Sequence, residues 1–253
     1  MLNREDWHRR FIQQAAWTEP LRRFVFSRIR LPEQSHILEA GCGTGAVLAA
    51  VKSLLLPSCL RFGIDINFDF LELAHQKEGS MALNAADVYA LPFKTGEFEA
   101  CFCHFLLLWL KEPAAALAEM ARVTCQGGWV IALAEPDYGG RIDYPHSLEK
   151  LGSAQAAALL RQGANPNTGR SLRRHFQSAG LKNISAGLLG AEWPTPPGLP
   201  PGWDMEWEIL TADLEGSLSK IELEVARESD RQAWLNGERV LYVPTFYAVG
   251  QVG

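Results

Sequence analysis

The stretch Glu39-Ala40-Gly41-Cys42-Gly43-Thr44-Gly45 is the densest functional signal in the chain. Glycines at alternate positions let the backbone turn tightly and let a ligand approach without a Cβ in the way. The apolar run HILEA before them reads as a strand and AVLAAVKSLLL after them as a helix, so the loop offers the free amides of a helix start to its ligand. Gly41, Gly43 and Ala46 also fit the dinucleotide spacing G-x-G-x-x-G/A, with Asp65 following at a suitable distance. Gly45 and the acid at position 39 count against that alternative.

A second chemical candidate is His104, placed at the carboxyl end of an almost wholly apolar run, the edge at which open α/β sheets bind ligands. Histidine titrates near neutrality, so it suits a general base; a residue of the pocket wall is the competing reading. Cys42, Cys59, Cys101, Cys103 and Cys125 are an odd number without CxxC pairs or histidines at ligand spacing, so neither a metal site nor a disulfide framework is expected.

These residues need a scaffold, and the hydrophobic pattern supplies one. Residues 4–29 read as helix, restarted at Pro20. After the glycine loop come a strand LRFGIDI (60–66), a helix N-capped by Asn67, a short strand near MALNAADV, and the apolar strand FEACFCHFLLLW. A helix opening at Pro113 and the strand WVIALAE follow. Such alternation predicts a doubly wound, mostly parallel α/β sheet. Beyond Glu135 the pattern gives the loop EPDYGGRIDYP, helices near 147–162 and 170–178, and a strand near 181–189. The proline-rich segment 192–202 reads as extended loop, the acidic segment after it as helical in its later half, and the final strand as bulged at Pro244.

At 253 residues, 47% apolar and 21% charged, the chain has ordinary globular composition. A net charge of −5 argues against a general nucleic-acid binder, although residues 1–30 carry a formal +4, read as a solvated helix face. The charged N-terminus lacks the apolar core of a leader, and the run 100–110 is too short to span a bilayer, so a cytoplasmic protein without a membrane span is expected.

ILEAGCGTGAVL, GIDIN, NAADVYALPF, FEACFCHFLL and EMARVTCQGGWVIALAEPD together resemble the class I S-adenosylmethionine-dependent methyltransferases, in the small-molecule branch of the ubiquinone and menaquinone enzymes. The likeness runs from about 36 to 136 and reaches the last strand more loosely; Gln126 replaces a usual proline and Glu99 a usual aspartate. It implies a Rossmann-like seven-stranded sheet with the last strand antiparallel, S-adenosylmethionine as methyl donor and a small-molecule acceptor. In such enzymes Gly41, Gly43 and Gly45 pack against the amino-acid end of the donor, beside Glu39, Cys42 and Cys103. Asp65 accepts from both ribose hydroxyls, Ile66 covers an adenine face, Asp87 accepts from the adenine amino group, and the Val88 amide reaches a ring nitrogen. The N-terminal helix closes over the donor, with Trp17 the aromatic expected there.

A single methyltransferase domain (1–253) is expected, made of an N-terminal helical cap (1–33), a donor-binding core (34–136), an acceptor-side loop, helices and strand (137–190), a lid insertion (191–238) and a C-terminal strand (239–253). The loop from Glu135 to His146, the NPNTGR segment (165–170), and Trp203 and Trp207 are candidate acceptor contacts; a solvated turn or ordinary packing are the competing readings. A donor-binding protein without turnover, or an NAD-dependent oxidoreductase, are the alternative functions.

Overall fold

The computed structural model describes residues 3–193 and 197–253; residues 194–196 of the proline-rich segment lie outside the described residues. The chain forms two compact units, one built from residues through 135 with 169–188 and 246–253, the other from 136–168 and 189–245. In chain order the elements are α1 (Arg4–Trp17), α2 (Glu19–Phe26), β1 (His36–Ala40), α3 (Ala46–Ala50), β2 (Leu60–Asp65), α4 (Phe68–Lys77), β3 (Ala82–Ala85), β4 (Phe98–Cys103), α5 (Pro113–Val123), β5 (Thr124–Pro136), β6 (Ile142–Tyr144), α6 (Glu149–Arg161), α7 (Thr168–Ser178), β7 (Lys182–Leu188), α8 (Trp203–Asp213), α9 (Lys220–Leu235), β8 (Val240–Tyr242) and β9 (Thr245–Gln251).

In the first unit seven strands lie in the order β3-β2-β1-β4-β5-β9-β7. β1 pairs in parallel with both β2 and β4, while β9 runs antiparallel to β7. β1 and β4 are the switch point of this order, so the loops leaving their carboxyl ends flank the crevice where such sheets bind ligands. Phe98, Ala100, Cys101, Phe102 and Cys103 of β4 are all fully buried, as a central parallel strand covered on both faces requires. Phe98 meets Phe62 and Phe93 edge to face, with centroids 5.3 and 4.8 Å apart.

Several elements differ from their sequence-based expectation. The helix expected from AVLAAVKSLLL is α-helical only through Ala50 and tightens into a 3-10 turn at Val51–Leu54. The apolar run from Phe98 does not continue as a strand: it ends at Cys103, and Phe105 takes a left-handed φ of +50°, rare for a bulky residue, which turns the chain into a 3-10 segment at Leu107–Trp109. The acidic segment is helical on both sides of its turn, as α8 and α9. Pro244, expected to bulge one strand, separates two: β9 joins the main sheet and β8 pairs with β6 in a two-stranded ribbon.

The second unit has its own core of Leu148, Leu151, Ala158, Trp203, Trp207, Leu214 and Leu223. At its centre Asp230 accepts from both tryptophan indoles, at 2.6 and 2.9 Å, and from Arg239 Nε at 2.6 Å. Arg239 also pairs with Asp143, which receives Arg141, so these buried charges are mutually neutralised.

Candidate active site

The glycine loop leaves β1 with φ of +70°, +52° and +76° at Gly41, Gly43 and Gly45, a region that side chains rarely adopt. A side chain would also crowd its neighbours: a Cβ would lie 2.7 Å from Leu106 Cδ1 at Gly41, 3.0 Å from Phe11 Cε2 at Gly43 and 2.9 Å from Met81 Cε at Gly45, so those side chains would have to shift. The loop amides are largely committed within the protein, contrary to the expectation that they face a ligand. Cys42 N donates to Ile64 O at 2.8 Å, Gly45 N to Cys42 O at 2.8 Å, and Gly43 N to Asp65 Oδ2 at 2.7 Å.

Asp65 ends β2 and takes a second amide, from Asn67, on Oδ1 at 2.8 Å. It therefore ties the two loops together, and a carboxylate with about four acceptor sites keeps lone pairs for a diol. Ile66 beside it is 78% exposed, an open apolar surface at the sheet edge. Asp87 is exposed and its Oδ1 accepts from Tyr89 N at 3.0 Å, while Val88 buries its side chain in the core and can offer only backbone. Cys42 and Cys103 are buried, and burial pushes both thiols well above their ordinary pKa.

Glu39 is 2% exposed, and among the described residues its Oε2 has no hydrogen-bond partner. Burial, reinforced by the charge of Asp65, raises its pKa well above the carboxylate range, against the pull of Arg22 and the Leu48 amide. Arg22 of α2 is as deeply placed, and its Nε is likewise unpartnered among the described residues. Sequence reasoning missed Arg22. Its signal is an arginine inside the apolar stripe Leu21, Val25, Phe26, all buried on one face of α2.

The N-terminal helices lie directly on the loop. Phe11 packs on Gly43, and His8 Nδ1 is 2.7 Å from Thr44 Oγ1. Trp17 is half exposed, with the Arg10 guanidinium 4.6 Å from its ring centroid.

His104 is buried behind this cap, its Nε2 2.9 Å from Thr18 Oγ1 at the start of α2 and its ring 4.2 Å from that of Phe105. Burial, with the charge of Arg22 adding, pushes its pKa down to about 3. The expected titration near neutrality therefore does not hold; the imidazole is neutral and hydrogen-bonded as a latch between β4 and α2.

Glu135, expected at the opening, is fully buried and accepts from the amides of Leu106, Leu107 and Leu108 at 3.0, 2.9 and 3.1 Å. It builds the turn that brings Leu106 onto Gly41. Burial pushes its pKa up to about 8 against these three amides. The rest of that expected acceptor loop is also internal to its own unit: Asp137 and Asp143 are buried, and Gly139 N donates to Asn167 of the NPNTGR segment. Trp203 and Trp207 are core residues bonded to Asp230 rather than exposed walls.

The sheet order, the glycine loop at the switch point and the acidic residue ending the second strand define the Rossmann-like fold of the class I methyltransferases. Residues 38–132, from β1 into β5, match the model of a methyltransferase domain. An uncharacterized methyltransferase of Schizosaccharomyces pombe is 28% identical over 62% of this chain and 60% of its own. The demethylmenaquinone methyltransferase of Lactiplantibacillus plantarum is 31% identical over 46% of this chain and 52% of its own. The chain thus spans less than two thirds of either relative. Among solved structures, a Thermotoga maritima S-adenosylmethionine-dependent methyltransferase, described as a possible histamine N-methyltransferase, has the same fold, with a TM-score of 0.57, 14% identity, and coverage of 97% of this chain and 94% of its own. Residues 38–132 thus carry a class I S-adenosylmethionine-dependent methyltransferase domain, with distant similarity to the small-molecule enzymes of quinone methylation. Among the described residues no helix is long and apolar enough to cross a membrane.

Proposed function

We propose that the chain transfers a methyl group from S-adenosylmethionine to a small-molecule acceptor, by in-line displacement beside the carboxyl ends of β1 and β4. The observation that carries this reading is the glycine cradle at the switch point, bordered by the tethered Asp65 and by a buried Glu39 oxygen without a partner. These residues fit the donor. Gly41 and Gly43 admit its amino-acid end, with Cys42 and Cys103 as small apolar wall. Glu39 Oε2 meets its ammonium, Asp65 its ribose hydroxyls, Ile66 and Trp17 its apolar faces, and Asp87 with the Val88 amide its adenine edge.

The bound donor supplies a methyl group already activated by its sulfonium, so the chain's task is to hold the donor, align the acceptor and exclude water. His104, neutral and latched to Thr18, serves by positioning α2 rather than by taking the acceptor's proton. Similarity to a demethylmenaquinone methyltransferase supports a small organic acceptor.

Parallel calorimetric titrations with S-adenosylmethionine, S-adenosylhomocysteine and NAD test the reading. Binding of the first two with NAD silent is expected. NAD binding alone would overturn it.

A further inference from the structure

We infer that a groove along α2 binds a medium-chain carboxylate, its head group at Arg22 and its hydrocarbon tail laid against Phe26, Leu55 and Leu56. The groove lies beside the end of α3 farthest from the glycine loop, so the inference does not depend on the donor assignment.

Two hollows adjoin there at Leu54, which lines both. The first, of about 190 Å³, is bordered by Glu19, Arg22 and Arg23 of α2 and by Ser53. The second, of about 130 Å³, is apolar, with Phe26, Ile29, Leu55, Leu56 and Cys59 in its wall. Pockets for drug-sized ligands run to about 300–1,000 Å³, so hollows of this size suit a small amphiphile. One end is cationic and the other apolar, the polarity of a short fatty acid.

The cationic end carries one positive charge in excess, two arginines against one glutamate. Arg23 is answered by Glu19, whose Oε1 lies 2.8 Å from its Nη2. Arg22 is 5% exposed, and among the described residues it has no ion pair: Nη1 donates to Ala15 O at 2.8 Å and to Thr18 Oγ1 at 3.5 Å, both neutral. Its Nε has no partner among the described residues. A guanidinium is always charged, and a buried charge without a counter-charge is costly. A carboxylate in the hollow supplies that counter-charge, and arginine's planar fork is matched to it. A doubly charged phosphate would overshoot the single excess charge and meet Glu19 besides.

The apolar end has the complementary need. Leu54 closes the 3-10 turn after α3 and Leu55 and Leu56 follow it, yet none of the three is buried, and Leu56 is 50% exposed. Consecutive leucines left at a surface beside a hollow mark a place for an apolar ligand. Arg22 also reaches Thr18 Oγ1, the partner of His104, so the head group sits one side chain away from the latch on α2.

Calorimetry of the full chain with butanoate, hexanoate, octanoate and octanol tests this, together with the rate at which iodoacetamide alkylates Cys59, read by peptide mass spectrometry. Affinity should rise about four-fold for each methylene added from butanoate to octanoate. Octanol has the tail without the charge and should bind at least about ten-fold more weakly than octanoate. Octanoate should slow alkylation of Cys59 and leave that of Cys125, which is outside the groove, unchanged. Arg22→Gln should bring octanoate down to the level of octanol, and an unchanged preference would overturn the inference. No binding of octanoate, affinity independent of chain length, equal binding of the alcohol, or octanoate binding without protection of Cys59 would each overturn it, and the wild type alone decides these four. Binding to phosphatidylglycerol vesicles without binding of octanoate would make this face a membrane contact and overturn it as well.

Discussion

The neutral, latched state of His104 has a measurable consequence for acid stability. Its folded pKa of about 3 lies below the ordinary histidine value of 6.5. Between these values the unfolded chain takes up a proton that the folded chain refuses, so stability is lost as pH falls from about 6.5 toward 3. Each pKa unit is worth about 1.4 kcal/mol, so at about pH 4.5 this residue should cost about 2 to 3 kcal/mol relative to neutral pH. His104→Asn removes the titration and keeps a polar partner for Thr18. It should lower stability at neutral pH through lost packing on Phe105, then narrow the gap to the wild type as the medium is acidified. Urea denaturation of both proteins at about pH 7 and 4.5 reads the difference, and the other histidines cancel because both proteins carry them. Parallel pH dependence in the two proteins would refute the reasoning, as would an imidazole proton resonance of His104 titrating near 6.5. The same value predicts a kcat/KM profile without a His104 limb between about pH 5 and 8.

Asp65→Ala should weaken S-adenosylhomocysteine binding by about 1 to 3 kcal/mol, and unchanged affinity by calorimetry removes Asp65 from the site. It should also lower the stability of the free chain, because the Gly43 and Asn67 amides lose their acceptor. Gly43→Ala should cost about 1 to 2 kcal/mol for its left-handed backbone, plus the push of its Cβ against Phe11. In a Phe11→Ala background the second part should vanish, which urea midpoints of the single and double variants can resolve. Glu135→Ala should cost at least about 3 kcal/mol by leaving three buried amides without an acceptor. Glu135→Gln should gain on the wild type as pH rises from about 4.5 to 8, where the folded chain retains a proton that the unfolded chain has released; a constant difference across that window contradicts this.

Much of the molecule is legible in local pattern. The strand and glycine loop at residues 36–45, Asn67 as an N-cap and Pro113 at a helix start are set by neighbours in sequence, and the structure places them where the pattern puts them. The run FEACFCHFLLLW was misread because apolar composition cannot say where a strand stops. That was decided by Glu135, far along the chain, gathering the amides of Leu106, Leu107 and Leu108 into a turn.

By itself, then, the sequence determined the element order, the glycine loop and the acid that follows it, since turn geometry and hydrophobic period are local properties. Only the tertiary structure decided the charge states and partners. Histidine at position 104 is a base or a latch according to what buries it, and Thr18 and Arg22 come from helices that no spacing rule ties to β4. The same holds for Trp203 and Trp207, whose indoles found Asp230 in a core of their own unit. Burial and pairing depend on segments distant in the chain, and a titratable group takes its character from them.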